Sequence, residues 1–175
     1  MKYENDFYVS AAKIGKQAPR FSMNALIPNT SNGFKGDIYV LDHTVDQGKW
    51  IILYFYGLDF DNSALEMIQG FDALKDDFEK ENAILVAVST DSISAHSAWQ
   101  NGALGKINHI HASDLNHKVS EAFGVLDEVQ GLSNPGVFMI SPNGILSASF
   151  TQIFKSVLKA DMVLKTFIDL KETLK

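Results

Sequence analysis

The sequence contains no cysteine among its 175 residues. This absence excludes disulfide bonds, thiolate metal sites, iron–sulfur clusters and any mechanism with a cysteine nucleophile. Basic residues are also scarce: 15 Lys and Arg stand against 21 Asp and Glu, which gives a formal net charge of −6. Because phosphates require concentrated positive charge, we expect the chain to bind neither nucleic acid nor an anionic membrane surface.

Long apolar runs are absent as well. The longest, residues 50–56, reaches only about a third of the roughly 20 residues that a helix needs to cross a bilayer. Residues 1–13 include Glu4 and Asp6 and lack an apolar stretch, so no secretory signal is expected and a cytoplasmic location is the default. With 46% hydrophobic residues and no linker, repeat or low-complexity tract, residues 1–175 are expected to form a single domain.

Strand and helix patterns alternate along the chain. Short apolar runs rich in β-branched and aromatic residues predict buried strands, whereas apolar residues spaced by three or four predict helices. The predicted strands are residues 37–41, 50–56, 83–89, a weak one at 108–111, and a hairpin of 136–140 with 145–150. The predicted helices are residues 63–78, 92–101, 116–123 and 160–174, and turn residues within 1–36 indicate loops and a hairpin. This order predicts an α/β fold with a central mixed sheet flanked by helices.

A series of short motifs resembles the peroxiredoxin family, in the same order along the chain. The motifs are GKQAPRF at 15–21, LDF at 58–60, VSTDS at 88–92, LGKIN at 104–108, SDLNHKV at 113–119 and SPNGIL at 141–146. Such a long ordered series, over about residues 14–170, is far more specific than one short motif. The resemblance implies a thioredoxin-like fold, which agrees with the order of predicted elements.

The same resemblance implies an active site that this chain lacks. Family members carry the pattern Pro-x-x-x-Thr-x-x-Cys, a Glu three residues later and a distant Arg, because a thiolate attacks the peroxide and needs anion-stabilising donors. Aligned on the neighbouring motifs, these five family positions hold Gly57, Asp61, Ala64, Met67 and Pro135. A shift by one residue would place Ser63 at the Cys and Glu66 at the Glu, but the Pro, Thr and Arg are missing in both alignments. The resemblance therefore implies a peroxidase-inactive homologue that acts through assembly or protein binding, without a cofactor.

An enzyme with changed, non-thiol chemistry in the old pocket is the alternative, with Asp59, Asp61, Glu66 or a histidine pair as its reactive groups. Ser63 as a nucleophile is disfavoured because no His lies nearby to act as its base. The spacing from Ser63 to Glu66 instead fits a capping box at the start of a helix.

His109 and His111 alternate on a predicted strand and could hold a metal ion with His117 and Asp114. The favoured interpretation is no metal and two partly solvated histidines on an edge strand; His96 and His117 are expected to be structural. The acidic run is expected to form a solvated helix face. It comprises Asp72, Asp76, Asp77, Glu79 and Glu81.

The strand from Ile145 to Phe150 is the expected partner surface, because it contains no Lys, Pro or charge to block edge pairing. The resemblance implies a homodimer through this strand, and the same edge could accept a related active peroxiredoxin. Alternatively, the C-terminal segment covers the edge and the protein is a monomer. The resemblance also suggests a cis bond between Asn134 and Pro135, since thioredoxin folds commonly hold a cis proline before the corresponding strand.

Overall fold

Nine strands and five helices make up the part of the chain that the computed structural model describes, residues 12–28, 38–42, 48–152 and 157–174. The strands are β1 (Ser22–Leu26), β2 (Ile38–Asp42), β3 (Trp50–Phe55), β4 (Ala83–Ser89), β5 (Ile110–Ser113), β6 (Leu126–Asp127), β7 (Leu132–Ser133), β8 (Gly136–Ile140) and β9 (Leu146–Thr151). The helices are α1 (Asn62–Ala73), α2 (Lys75–Lys80), α3 (Ile93–Gln100), α4 (Lys118–Ala122) and α5 (Ala160–Thr173). None of these helices has the length and apolar character needed to cross a membrane.

Seven of the strands form one mixed sheet in the order β2-β1-β5-β4-β3-β8-β9. The pairs β3–β4 and β4–β5 are parallel, and the remaining neighbours are antiparallel. β3 lies in the interior of the sheet, and all six of its residues are buried. Its apolar run without alternation follows from this position, because apolar groups cover both faces of the strand. The predicted α/β fold with a mixed sheet is confirmed.

Apolar side chains pack on both faces of the sheet. Alternate residues of β3 supply the two sides, with Tyr54 in one cluster and Phe55 in the other. The first cluster includes residues of α1, α2 and α5, and the second includes residues of α4 and β8. Tyr54 stacks on Phe71 of α1 with ring centroids 4.1 Å apart, so the first helix is fixed against the strand that precedes it.

Three predicted features differ in the structure. The apolar stripe predicted as one helix from Ser63 divides into α1 and α2 at Leu74, whose φ of −104° and ψ of 8° are not helical. β1 was not predicted, because residues 22–26 lack a strong strand pattern. β1 pairs with β5, so β5 is an interior strand and not an edge strand.

The expected cis bond before Pro135 is wrong, because every described peptide bond is trans. The Asn134 amide donates to the Val125 carbonyl at 2.7 Å, and the Pro135 carbonyl accepts from the Gln152 amide at 2.8 Å. These bonds hold the residues on both sides of the peptide bond.

Candidate functional site

The start of α1 is where the resemblance places the family's cysteine, and a carboxylate caps it. Asp61 is the N-cap residue, with the extended backbone that this position requires. Its side chain accepts a hydrogen bond from the Ser63 amide at 2.8 Å and another from the Ser63 hydroxyl. The predicted capping box is therefore wrong: Asp61 supplies the cap, and Glu66 instead forms an ion pair with Lys159.

The other aligned positions near this helix offer no reactive group to solvent. Ala64 and Met67 are each 2% exposed and belong to the apolar core. Gly57 is buried at the end of β3. Pro135 precedes β8, where a proline has neither charge nor amide proton to stabilise an anion.

A buried polar group lies next to this helix start, and Asp59 is its centre. The two carboxylate oxygens of Asp59 have different partners: one accepts from the Tyr56 hydroxyl at 2.6 Å, and the other faces His96 Nδ1 at 2.7 Å. His96 Nε2 lies 3.1 Å from the Ala112 carbonyl. The side chains of His96 and Asp59 are 0% and 1% exposed, so water does not replace these contacts.

His111 extends the same group and lies against His96. Its Nε2 contacts the Tyr56 hydroxyl, and its Nδ1 lies 2.9 Å from the side-chain amide of Gln100. The His96 and His111 rings stack with centroids 3.8 Å apart and 18° between their planes. We refer to Tyr56, Asp59, His96, Gln100 and His111 together as the Asp59 cluster.

One arrangement of protons satisfies every contact in the Asp59 cluster. The Gln100 amide donates to His111 Nδ1, His111 Nε2 donates to the Tyr56 oxygen, and the Tyr56 hydroxyl donates to Asp59. His96 Nε2 donates to a carbonyl, and one proton is shared between its Nδ1 and the other Asp59 oxygen. All described buried side-chain polar atoms have a partner. The cluster is therefore an open chain of hydrogen bonds from Gln100 to the Ala112 carbonyl.

A second, linear arrangement runs beside the cluster. His109 Nε2 lies 2.6 Å from the Tyr54 hydroxyl, and its Nδ1 lies 2.9 Å from Asp72, which also accepts from the Asn108 amide at 2.6 Å. Two expectations are corrected here. His109 and His111 are buried, because β5 is interior, and Asp72 faces His109 and does not lie on a solvated helix face.

The register of three strands explains both tyrosine–histidine contacts. In the sheet, Tyr54 of β3 pairs with Ala87 of β4, which pairs with His111 of β5. The small Ala87 side chain leaves room above β4. Tyr54 and Tyr56 reach diagonally across that space. Tyr54 is level with His111 in the sheet but contacts His109, two residues earlier, and Tyr56 is offset from His111 in the same way.

Burial sets the charge of these side chains. Desolvation raises the pKa of Tyr54 and Tyr56 well above the ordinary phenol value, and the neighbouring carboxylates Asp72 and Asp59 add to the rise. Desolvation lowers the pKa of His109, and it lowers the pKa of His111 further, with His96 and His109 adding to that effect. At pH 7 the phenols are therefore protonated and both of these imidazoles are neutral.

Desolvation also acts on Asp72, but hydrogen bonds outweigh it. Burial tends to raise its pKa, whereas the bonds from His109 and Asn108 hold the pKa of this carboxyl below its usual value. Asp72 is therefore a carboxylate at pH 7, and its charge stabilises the orientation of the neutral His109 ring.

The structure does not bring together all of the residues considered as metal ligands with His109 and His111. Asp114 accepts from the Val119 and Ser120 amides at the start of α4, at 3.0 and 2.6 Å, and thus caps that helix. His117 precedes α4 in a left-handed conformation with φ of 64°. The groups that do meet are Asp59, His96 and His111.

Tyr54, Tyr56 and Gln100 were missed as polar-site residues. The two tyrosines lie in residues 50–56, whose apolar pattern without alternation predicts only a buried strand. Their spacing of two matches that of His109 and His111, and both pairs lie on parallel strands of one sheet. That shared spacing was the available signal.

Comparison with known proteins gives a consistent result. The profile of the AhpC/TSA family matches residues 14–149. The chain belongs to this family, the peroxiredoxins. YkuU of Bacillus subtilis, which carries a peroxiredoxin name, is 37% identical over 138 residues, covering 76% of this chain and 74% of the relative. Peroxiredoxin tpx1 of Schizosaccharomyces pombe is 38% identical over 139 residues, covering 77% and 69%.

The fold agrees with this membership. The crystal structure of Enterococcus faecalis AhpC matches with a TM-score of 0.85 at 22% identity and covers 93% of this chain and 95% of the other. A 2-Cys peroxiredoxin of Plasmodium vivax in its reduced state matches with a TM-score of 0.83 at 26% identity, covering 91% and 97%. The expected thioredoxin-like, peroxiredoxin-type fold is confirmed.

Proposed function

We propose that this chain is a peroxidase-inactive member of the peroxiredoxin family that acts by binding another protein chain. The observation that carries the proposal is the Asp61 carboxylate at the start of α1. In a thiol peroxidase, the amides of a helix start stabilise a thiolate. Here a resident carboxylate accepts from the Ser63 amide, and the chain has no thiol. Both the nucleophile and the positive potential that would activate it are therefore lacking.

The alternative of a non-thiol enzyme has less support. The Asp59 cluster lies beside the start of α1, where the family's active site would be, but its members are buried and already bonded to one another. A general base needs a free position within hydrogen-bond reach of its substrate. Of the side chains first considered for that role, Asp61 caps α1 and Glu66 pairs with Lys159.

A peroxide-consumption assay with a thiol reductant tests the loss of activity. We expect no turnover from the purified chain, whereas sustained turnover free of contaminating enzyme would contradict the proposal. Ala64→Cys provides a sharper test, because it restores a thiol but keeps the Asp61 carboxylate. We expect Ala64→Cys to stay inactive, with slow alkylation by iodoacetamide at pH 7, and faster alkylation when Asp61→Thr is added. Equal alkylation of the single and double variants would show that Asp61 does not suppress the thiolate.

The binding surface in this proposal is the outer edge of β9, the last strand of the sheet. Part of the expected edge is covered: Leu146 already exchanges both of its outward backbone bonds with residues 15 and 16. Among the described residues, no strand pairs with the outer edge from Ser147 to Thr151, and this stretch contains no Lys, Pro or charge. We propose that a second copy pairs there to form a homodimer, and that a related active peroxiredoxin could take the same place.

The ladder between β8 and β9 decides which substitution tests this edge. The Gln152 amide bonds inward to Pro135, and inward and outward bonding alternate along a strand, so Phe150 and Ala148 also bond inward and Ser149 faces outward. Proline at 149 removes an outward donor while leaving the β8 ladder intact. Ala148→Pro would instead break the ladder to β8.

Light scattering at tens of micromolar should therefore report a dimer for the native chain and a monomer for Ser149→Pro. Ser149→Ala is the matched control and should remain dimeric. A native chain that is monomeric at this concentration would refute the homodimer, and co-purification with an active peroxiredoxin would then be tested with the same two variants.

A further inference from the structure

We infer that Asp59, His96 and His111 form a binding site for a divalent transition-metal ion of the zinc type. Within the described residues, they are the one group of three potential ligands whose donor atoms all lie within 4.8 Å of one another. All three residues are buried. This inference does not depend on the loss of peroxidase activity or on the dimer.

The outer nitrogens of both imidazoles have hydrogen-bond partners that can hold the rings for metal binding. His96 donates from Nε2 to the Ala112 carbonyl, which leaves Nδ1 directed at Asp59. His111 is held at Nδ1 by Gln100, which leaves Nε2 directed at the Tyr56 hydroxyl. An outer partner on each ring fixes the ring's orientation and raises the basicity of the ligand nitrogen. The Gln100 amide suits either tautomer of His111, because it can turn its nitrogen or its oxygen toward Nδ1.

The donor set selects the class of ion. Two imidazoles and one carboxylate match zinc, which takes His nitrogen and carboxylate oxygen in a tetrahedral site. The Tyr56 hydroxyl contacts both Asp59 and His111, so it lies beside two of the three ligand groups. The carboxylate offsets half of the ion's charge, and no thiolate is present to favour soft ions such as Cu(I).

Metal uptake requires a small opening of the Asp59 cluster. Ligand atoms about 2.0–2.1 Å from a tetrahedral ion stand about 3.3 Å apart. The contacts from Asp59 to His96 and to Tyr56 are 2.7 and 2.6 Å, so these groups must separate by roughly half an ångström or more. The two stacked rings must also tilt so that both nitrogens point at the ion. The metal bonds then replace the hydrogen bonds that hold the metal-free state.

The neighbouring arrangement around His109 is a built-in control. Tyr54, His109 and Asp72 are the same three residue types, but only one imidazole is present and both of its nitrogens are occupied by the other two residues. The arrangement around His109 therefore has no second imidazole nitrogen that could bind the same ion. His109 should therefore be dispensable for metal binding, although its burial and its tyrosine contact resemble those of His111.

Calorimetric titration of the chelator-stripped full chain with Zn²⁺ tests the site. We expect one ion per chain, an affinity reduced on the order of 100-fold in His111→Gln, and an affinity within about threefold of native in His109→Gln. Circular dichroism and thermal melting confirm that both variants are folded. Absence of saturable binding at one ion per chain, or equal losses in the two variants, would overturn the inference.

A measurement on the native chain serves if His111→Gln fails to fold. Co²⁺ in place of Zn²⁺ should give the intense visible absorption of a tetrahedral site, and X-ray absorption at the zinc edge should show two imidazole ligands. A zinc spectrum without imidazole scattering would overturn the inference independently of any variant.

Discussion

Acid should destabilise this protein between pH 7.5 and pH 5.5, and His111 should account for a large part of the effect. Desolvation holds the pKa of His111 well below its ordinary value, and desolvation also lowers that of His109. In the unfolded chain both imidazoles titrate near 6.5. Below that pH the unfolded state binds protons that the folded state does not, so the free energy of unfolding falls.

The sign and size follow from linkage. A histidine with a depressed folded-state pKa leaves stability intact above about pH 6.5, and that stability is lost as the pH falls toward the folded-state pKa. The slope is about 1.4 kcal/mol per pH unit for each histidine, so moving from pH 7.5 to 5.5 costs about 1.4 kcal/mol per group. His111 should contribute nearly all of that amount and His109 less, for a total between about 1.4 and 2.7 kcal/mol.

Urea unfolding at a series of pH values, with a chelator present, measures the loss. His111→Gln removes one titrating group, so its fall in unfolding free energy over the same range should be smaller than the native fall by about 1.4 kcal/mol. The variant is expected to start lower at pH 7.5, because Gln100 and Tyr56 each lose a partner. Asp114, whose pKa is raised by desolvation, acts in the opposite direction but is shared by both proteins and cancels in the comparison.

His117→Asn is the matched control, because His117 is only half-buried and Asn tolerates its left-handed backbone. This variant keeps His111 and its partners, so the contribution of His111 to the fall should remain. Parallel curves for the native chain and His111→Gln would refute the reasoning, since they would mean that His111 takes up its proton equally in the folded and unfolded states.

Three further changes should alter stability measurably in urea unfolding at pH 7.5. Asp61→Ala removes the N-cap of α1 and should cost about 1 kcal/mol, whereas Asp61→Ser should be nearly neutral; equal losses would contradict the cap. Ala87→Val crowds the space where the tyrosines pass over β4 and should cost about 1–3 kcal/mol, and no loss would show that this space is not filled. Asp72→Ala leaves His109 Nδ1 and the Asn108 amide without an acceptor and should cost about 1–3 kcal/mol, while Asp76→Ala on the same acidic run should be silent.

The strands that the sequence predicts most accurately are those with both faces buried. The bounds of β4 and β8 agree with those predicted, because an unbroken apolar run bounded by polar residues is a local signal. β1 has no such signal, and its place depends on pairing with β2 and β5, far away in the chain. Missing β1 made β5 an edge strand in the prediction, and its histidines were consequently expected to be partly solvated.

The sequence gives only a weak signal for the Asp59 cluster, for a related reason. Each tyrosine–histidine contact joins residues 55 positions apart, and the residue types gave conflicting signals on the two strands. The tyrosines are typical of a buried core strand, whereas the histidines are typical of a polar surface. Only the parallel register across Ala87 brings both onto one face.

The cap at α1 shows a different limit. Asp61 and Ser63 are both good N-cap residues, and the Glu66 that completes a capping box favoured Ser63. In the structure Asp61 supplies the cap, and Glu66 forms an ion pair with Lys159, directly before α5. Local pattern alone could not choose between two caps two residues apart.

The loop between β3 and α1 connects these observations. Asp61 fixes its end to the helix, the Asp59 side chain fixes its middle to the buried cluster, and the Asp59 amide donates to Asp91 at 2.8 Å. Phe60, between them, keeps a left-handed backbone with φ of 62° although its side chain is 62% exposed. Such a conformation costs a bulky residue about 1–2 kcal/mol and persists only where the surroundings determine it. Directly before the helix start that aligns with the family's cysteine, this chain therefore has a loop fastened on both sides of a strained residue.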